Sequence, residues 1–300
     1  MKVFLGIPRG FCAGVVRAID VVELALQRYP HPVYVKHQIV HNPYVVKSLE
    51  DKGAITVEDV DEIPEGSTVV FSAHGSPPED FKKADRRNLN VIDATCPLVT
   101  KVHNEAQKYA RDGRKLILVG HKGHQEVKGT MGQTVMRLVD DREGVDTPQW
   151  SADTQVTVLT QTTLSVDDTK RSIERIRERF TDVIVRNDLC YATTNRQAAV
   201  KQLSRLVDLV LVIGAENSSN CNRLRDVAQD NGVDAYLIND PDELDPTWLE
   251  GVENVGITSG ASTPESLVQA VIDALDPEEV KAIEGVDEDV TFVLPVELRE

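Results

Sequence analysis

Basic residues are in short supply. Lysine and arginine total 33 against 49 aspartates and glutamates, a formal net charge of −16 at pH 7. So acidic a chain repels nucleic acid and anionic membrane, and neither is expected as a partner. An anionic small molecule would need a local set of donors to overcome that global field. No apolar run approaches the roughly 18 residues of a membrane-spanning helix, so no span is expected. The opening MKVFLGIPRGFC lacks the apolar core of a secretory signal and enters a strand at once. The cytoplasm is therefore the expected compartment. Cysteine numbers only four in 300 residues, which points to metal-binding or catalytic thiols and away from a disulfide framework. Close CxxC pairs, common in structural zinc sites, are missing, as is the bacterial ferredoxin spacing. Neither GxxxxGKS/T nor GxGxxG occurs, so ordinary nucleotide-binding loops are unsupported.

What is present is a set of cysteines in matching contexts. Cys12 lies in GIPRGFCAGVVRAID, Cys96 in NVIDATCPLVTKVH and Cys190 in VIVRNDLCYATTNR. Each follows a short apolar run that reads as a strand and precedes a stretch that reads as a helix. Each thiol thus falls at a strand-to-helix turn, at the positive end of a helix. That setting favours thiolate, the form that binds metal. Three thiols alike in setting suggest one shared centre with three protein ligands and a coordination position left open for chemistry. The competing reading is that they are buried small hydrophobes, and the repeated context weighs against it. Without close pairs or a fourth ligand, iron–sulfur chemistry is favoured over structural zinc. Cys221, inside a polar loop-to-helix segment, reads as a packing residue.

Strand and helix alternate throughout, which implies an α/β protein of parallel sheets wrapped by helices. One architecture is used three times, over residues 1–97, 98–191 and 192–280, followed by an acidic linker and C-terminal strand or tail over 281–300. The acidic segment 276–289 is expected to be an exposed linker, and Thr291 to Leu294 a last short strand. Ligands of parallel α/β sheets bind beyond the carboxyl ends of the strands. There the chain places His41–Asn42, His74 to Ser76, His121 to Glu126, Thr160 to Thr163, Ser218 to Asn220, and Ser259 to Thr263. Small donors and imidazoles beside glycines suit a phosphate or diphosphate. A lone histidine is more often structural; His41, His74 and His124 are the candidates for function, and His31, His37, His103 and His121 keep the structural reading. Glu126, two residues after His124 in a Gly-rich turn, is a candidate for a carboxyl of raised pKa that delivers protons. Ser218, Ser219 and Asn220 form an N-cap cluster, which is compatible with phosphate binding because both uses exploit the same backbone N–H groups.

The segments GFCAGVVRAI, HQIVHN, SAHGSPP, DATCPLV, GHKGHQEVKGTMGQ, TQTTLSVDDT, CYATTNRQ, NSSN with NRL, and TSGASTPE run from the N-terminus to about residue 266. In them the sequence resembles the 4-hydroxy-3-methylbut-2-enyl diphosphate reductases, the LytB/IspH family of the methylerythritol phosphate route to isoprenoids. The resemblance implies a trefoil of three α/β units around a central [4Fe–4S] cluster, one per chain, held by Cys12, Cys96 and Cys190. It implies that His41, His74, His124, Ser218, Ser219, Asn220 and Ser262 line a diphosphate pocket. Thr162 would contact the substrate hydroxyl region and Glu126 would supply protons. The implied reaction is the reductive removal of an allylic hydroxyl, with electrons from ferredoxin or flavodoxin. Cys221 departs from the small polar residue expected after NSSN. A second class is a non-catalytic iron–sulfur redox sensor that binds a phosphorylated metabolite. A sensor would carry an output element such as a DNA-reading helix or basic tail, and this acidic chain shows none. A third, another cluster-dependent dehydratase, would act without net electrons.

Overall fold

Runs such as TVVF, KLILV and LVLVI are buried almost end to end, as strands covered on both faces require. The computed structural model describes residues 1–300 apart from positions 141, 144, 145 and 300. In chain order the strands are β1 (Lys2–Leu5), β2 (Val33–Lys36), β3 (Ala54–Val57), β4 (Thr68–Phe71), β5 (Asn90–Asp93), β6 (Lys115–Val119), β7 (Arg137–Val139), β8 (Gln155–Thr160), β9 (Asp182–Val185), β10 (Leu209–Ile213), β11 (Asp234–Ile238), β12 (Asn254–Ser259) and β13 (Glu279–Ala282). The helices are α1 (Ala13–Arg28), α2 (Pro43–Glu50), α3 (Pro78–Arg86), α4 (Pro97–Arg111), α5 (Gln125–Met131), α6 (Val166–Arg179), α7 (Tyr191–Leu203), α8 (Ser219–Asp230) and α9 (Glu265–Leu275). Among the described residues these strands build three sheets, all parallel, and the α/β class expected from sequence is observed. No helix among them is long and apolar enough to cross a membrane.

The chain divides into two compact units. The first comprises Met1–Val15, His41–Val45 and Cys190–Thr291. It holds a sheet of order β11-β10-β12-β1-β13. Alternation along β10 splits the core. Leu209, Leu211 and Ile213 pack with Val268, Val271 and Ile272 of α9, whereas Val210 and Val212 pack with Leu203 of α7 and Leu224 and Val227 of α8. The second unit comprises Val16–Val40, Val46–Leu189 and Phe292–Glu300, and holds two sheets, β3-β2-β4-β5 and β7-β6-β8-β9. Its α4 buries Val99, Val102, His103 and Ala106, a single stripe at helical spacing.

The C-terminal part corrects the sequence-based expectation. The acidic segment expected to be a linker supplies β13, paired in register with β1 from Lys2↔Glu279 to Leu5↔Ala282. Its charges are those of an edge strand, where Lys and Glu face water and discourage further pairing. Residues 291–294 form no strand, and a single 3-10 turn follows at Val296–Leu298. The first strand of the chain thus sits beside strands from its last third, a long-range pairing that local pattern does not encode.

Leu211, fully buried on the interior strand β10, tests this packing. Leu211→Ala is expected to cost about 2–5 kcal/mol, read as a lower urea midpoint at unchanged slope. A loss under about 1 kcal/mol would mean that this face of the sheet is not closed.

Candidate active site

In the second unit the site is built on a helix that starts right after β6. His124 caps α5, its Nδ1 accepting from the Glu126 amide at 3.2 Å. Close backbone approach then fixes the helix. A Cβ at Gly129 would lie 2.9 Å from the Gly75 carbonyl oxygen, and one at Gly132 would lie 2.3 Å from Pro77 Cβ. α5 therefore rests directly on the SAHGSPP loop after β4, which only glycine permits. The same contact brings imidazoles together. The rings of His74 and His124 meet edge-on at 6.1 Å, and those of His37 and His74 at 6.1 Å. His37, given a structural role above, is thus part of the cluster. Its Nδ1 lies 2.7 Å from Glu58 Oε2 and 3.0 Å from Gln125 Nε2.

Glu126 points the other way, to the end of β8. Its carboxyl is buried, at 4% exposure, where Oε1 accepts from the Thr162 amide at 2.6 Å and Oε2 from the Thr162 hydroxyl at 2.9 Å. Burial pushes this carboxyl up to about 7; the two Thr162 bonds oppose the rise and the Asp188 carboxylate adds to it. The group is poised to hold or release a proton near neutral pH. When protonated it can donate to the Thr162 oxygen that otherwise donates to it, because a hydroxyl does both. Cys96 caps α4 in this unit, ahead of Pro97, and its amide donates to Ala73 at 3.0 Å. Arg17 secures the turn before it, donating to the carbonyls of Ala94 at 3.0 Å and Thr95 at 3.1 Å.

In the first unit, Cys12 and Cys190 are the half-buried thiols. Cys190 caps α7, with its Sγ accepting from the Thr193 amide at 3.3 Å. The Tyr191 hydroxyl accepts from the Ala13 amide at 3.3 Å, which links the two cysteine-bearing turns. Burial pushes this phenol up to about 12, the Ala13 bond opposes, and the nearby Cys12, Glu288 and Cys190 add to the rise. Beyond β10, Ser218 caps α8 by accepting from Cys221 N at 3.3 Å, and Ser219 opens that helix. Next to them Asn220 is 6% exposed, and both polar atoms of its amide are buried without a hydrogen-bond partner. An orphaned buried amide costs about 1–3 kcal/mol, so its position at a helix N-terminus points to a ligand. Ser262, after β12, donates to the His41 carbonyl at 3.0 Å. Cys221 is fully buried beneath both turns: a Cβ at Gly214 or Gly260 would come within 2.4 or 2.2 Å of its Sγ. Burial pushes its thiol up to about 11, in keeping with a packing role.

Of the residues singled out in the sequence, the structure gathers His74, His124, Glu126 and Thr162 in one unit. Cys12 and Cys190 meet around Tyr191 in the other, which also holds Ser218, Ser219, Asn220, and Ser262 with His41. Cys96 lies with the first of these sets. Sequence reasoning missed His37, Tyr191 and Arg196. Their one signal was adjacency, in HQIVHN and CYATTNR, to residues already chosen. Among the described residues no group of three or more His, Cys, Asp and Glu side chains is arranged to hold a single metal ion. A multinuclear cluster asks for something else, since each thiolate binds a different iron and the sulfurs stand further apart.

A family model described as LytB protein matches residues 3–276. A protein of Rhodopseudomonas palustris named 4-hydroxy-3-methylbut-2-enyl diphosphate reductase 1 is 54% identical, covering 98% of this chain and 99% of its own. A Zymomonas mobilis protein named 4-hydroxy-3-methylbut-2-enyl diphosphate reductase is 52% identical over 100% of this chain and 90% of its own. The solved structure of the E-1-hydroxy-2-methyl-but-2-enyl-4-diphosphate reductase of Plasmodium falciparum superposes with a TM-score of 0.96 at 38% identity, covering 99% of this chain and 96% of that one. With half of its residues shared along the full length, and the cap, imidazole and carboxyl geometry above, the chain belongs to the LytB (IspH) family of 4-hydroxy-3-methylbut-2-enyl diphosphate reductases.

Proposed function

We propose that the chain performs the reaction for which its family is named, and that the residues gathered above carry it. The protein is an iron–sulfur oxidoreductase of isoprenoid biosynthesis. It reduces (E)-4-hydroxy-3-methylbut-2-enyl diphosphate with two electrons and two protons, releasing water and giving isopentenyl and dimethylallyl diphosphates. The single observation that carries the assignment is the buried Glu126–Thr162 pair, a carboxyl raised to about 7 that is bonded to the Thr162 amide and hydroxyl. Hydroxide leaves poorly, so such a pair suits its departure as water.

Cys12, Cys96 and Cys190 would hold a [4Fe–4S] cluster, one per chain. The fit rests on donor chemistry: three reduced, half-buried thiols, each at the start of a helix, are soft ligands suited to iron–sulfur. When bound, such a cluster supplies the electrons and a Lewis acid toward the departing oxygen. The remaining work falls to side chains. His41, His74, His124, Ser218, Ser219, Asn220 and Ser262 are assigned to the diphosphate, which anchors the remote end of the substrate and so orients the allylic carbon. The unpaired Asn220 amide supports this, since an anion or its hydration would satisfy its N–H donors. Thr162 passes a proton between Glu126 and the substrate hydroxyl. The electron donor is a small redox protein such as ferredoxin or flavodoxin, and the reaction takes place in the cytoplasm. The relatives named above are all reductases, which leaves the sensor alternative without support.

Glu126→Gln is expected to bind substrate normally and to lower kcat about 10²–10⁴-fold in an assay with dithionite-reduced dye. Normal turnover would reject the proton-donor role. The acid form of Glu126 is lost as pH rises through about 7, so kcat should decline above that pH and the glutamine variant should show no such limb. Cys12→Ser, Cys96→Ser and Cys190→Ser should each lower iron per chain in anaerobic Mössbauer spectra. Full iron content in any one of them would remove that cysteine from the ligand set.

A further inference from the structure

Arg196 carries a full positive charge at 0% exposure, in a helix turn of the first unit where none of the steps above uses it. Its guanidinium reaches three parts of that unit. One nitrogen donates to the Ala192 carbonyl of its own helix at 3.0 Å and to both oxygens of Glu288, at 3.0 and 3.1 Å. The other donates to the Gly10 carbonyl at 2.8 Å. Gly10 precedes Cys12 by two residues and holds a left-handed conformation, φ 71°, with its amide bound to Ser259 Oγ at 2.8 Å. Ala192 follows Cys190 by two residues. The Glu288 carboxylate is itself largely enclosed, at 11% exposure, and takes a further bond from Asn195 at 3.1 Å. A planar fork with fixed donors is suited to joining a carboxylate and two carbonyls at once. A buried charge of this kind is held in place only while its partner remains.

We infer that Arg196 and Glu288 are positioning residues that clamp the Cys12 turn to the start of α7 and so set the separation of Cys12 and Cys190. The inference rests on the reading of those cysteines as cluster ligands. It assigns a task to the acidic C-terminal segment, because Glu288 lies beyond residue 276, where the match to the family model ends. The chain is held there by β13, whose pairing with β1 draws the segment back to the sheet from which the Cys12 turn departs. Neither residue is among those assigned to the substrate or to proton transfer, so the clamp acts on how tightly the sulfurs are held.

The test uses the cluster-loaded enzyme, anaerobically, with Glu288→Gln as the main variant and Glu288→Asp as a milder one that keeps the charge. Iron release to a chelator is followed by the loss of visible absorbance. Iodoacetamide labelling of each cysteine is mapped over the same period by mass spectrometry. Glu288→Gln should release iron roughly 10–100-fold faster, the usual cost of losing support behind a metal ligand. In it Cys12 and Cys190 should label ahead of Cys96, whereas the three should label together in the unaltered enzyme. Glu288→Asp should fall between; if the glutamine variant does not fold, the order of labelling in the aspartate variant decides. Unchanged release, or acceleration shared equally by all three cysteines, would overturn the clamp. Immediate labelling of all three in the unaltered loaded enzyme would instead reject the ligand assignment itself.

Discussion

A carboxyl group taken out of water and met by one threonine is the constraint on which the proposed chemistry depends. Glu126 sits at 4% exposure and accepts from Thr162 through an amide and a hydroxyl. Desolvation outweighs the two hydrogen bonds and raises the carboxyl to about 7, so it can hold or give up a proton near neutral pH. The arrangement requires α5 to begin at its particular place and angle. That in turn requires Gly129 and Gly132, because any side chain there would collide with Gly75 or Pro77. The place of this carboxyl is thus set by a close approach of two backbones in the next turn of the chain.

The same economy of parts recurs at the thiols. Cys96 and Cys190 are helix N-caps, and Cys12 immediately precedes α1, so each stands where backbone N–H groups are directed outward. Arginines brace the turns behind them. Arg17 holds the carbonyls before Cys96, and Arg196 holds the carbonyl before Cys12 together with the first turn after Cys190. Both also grip the C-terminal segment, at Val293 and Glu288 respectively. In each unit a part of the C-terminal segment is in this way tied to a cysteine-bearing turn.

The chain's own order of residues determined much of this. Alternating strand and helix runs, read with no neighbours in view, gave the parallel α/β class, and the strand-to-helix turns gave Cys12, Cys96, Cys190, Ser218 and Glu126 as the residues to watch. Those inferences are local: period, capping and turn chemistry act over a few residues and leave their mark in a few residues. Tertiary structure alone decided that β1 pairs with β12 and β13, that His37 joins His74 and His124, and that Thr162 is the partner of Glu126. It alone turned residues 276–289 from an expected linker into an edge strand and the carboxylate that meets Arg196. The physical reason is distance along the chain. These contacts join residues from 36 to 277 positions apart, where burial and pairing are shared by whole sheets and no short pattern records which partner will be met.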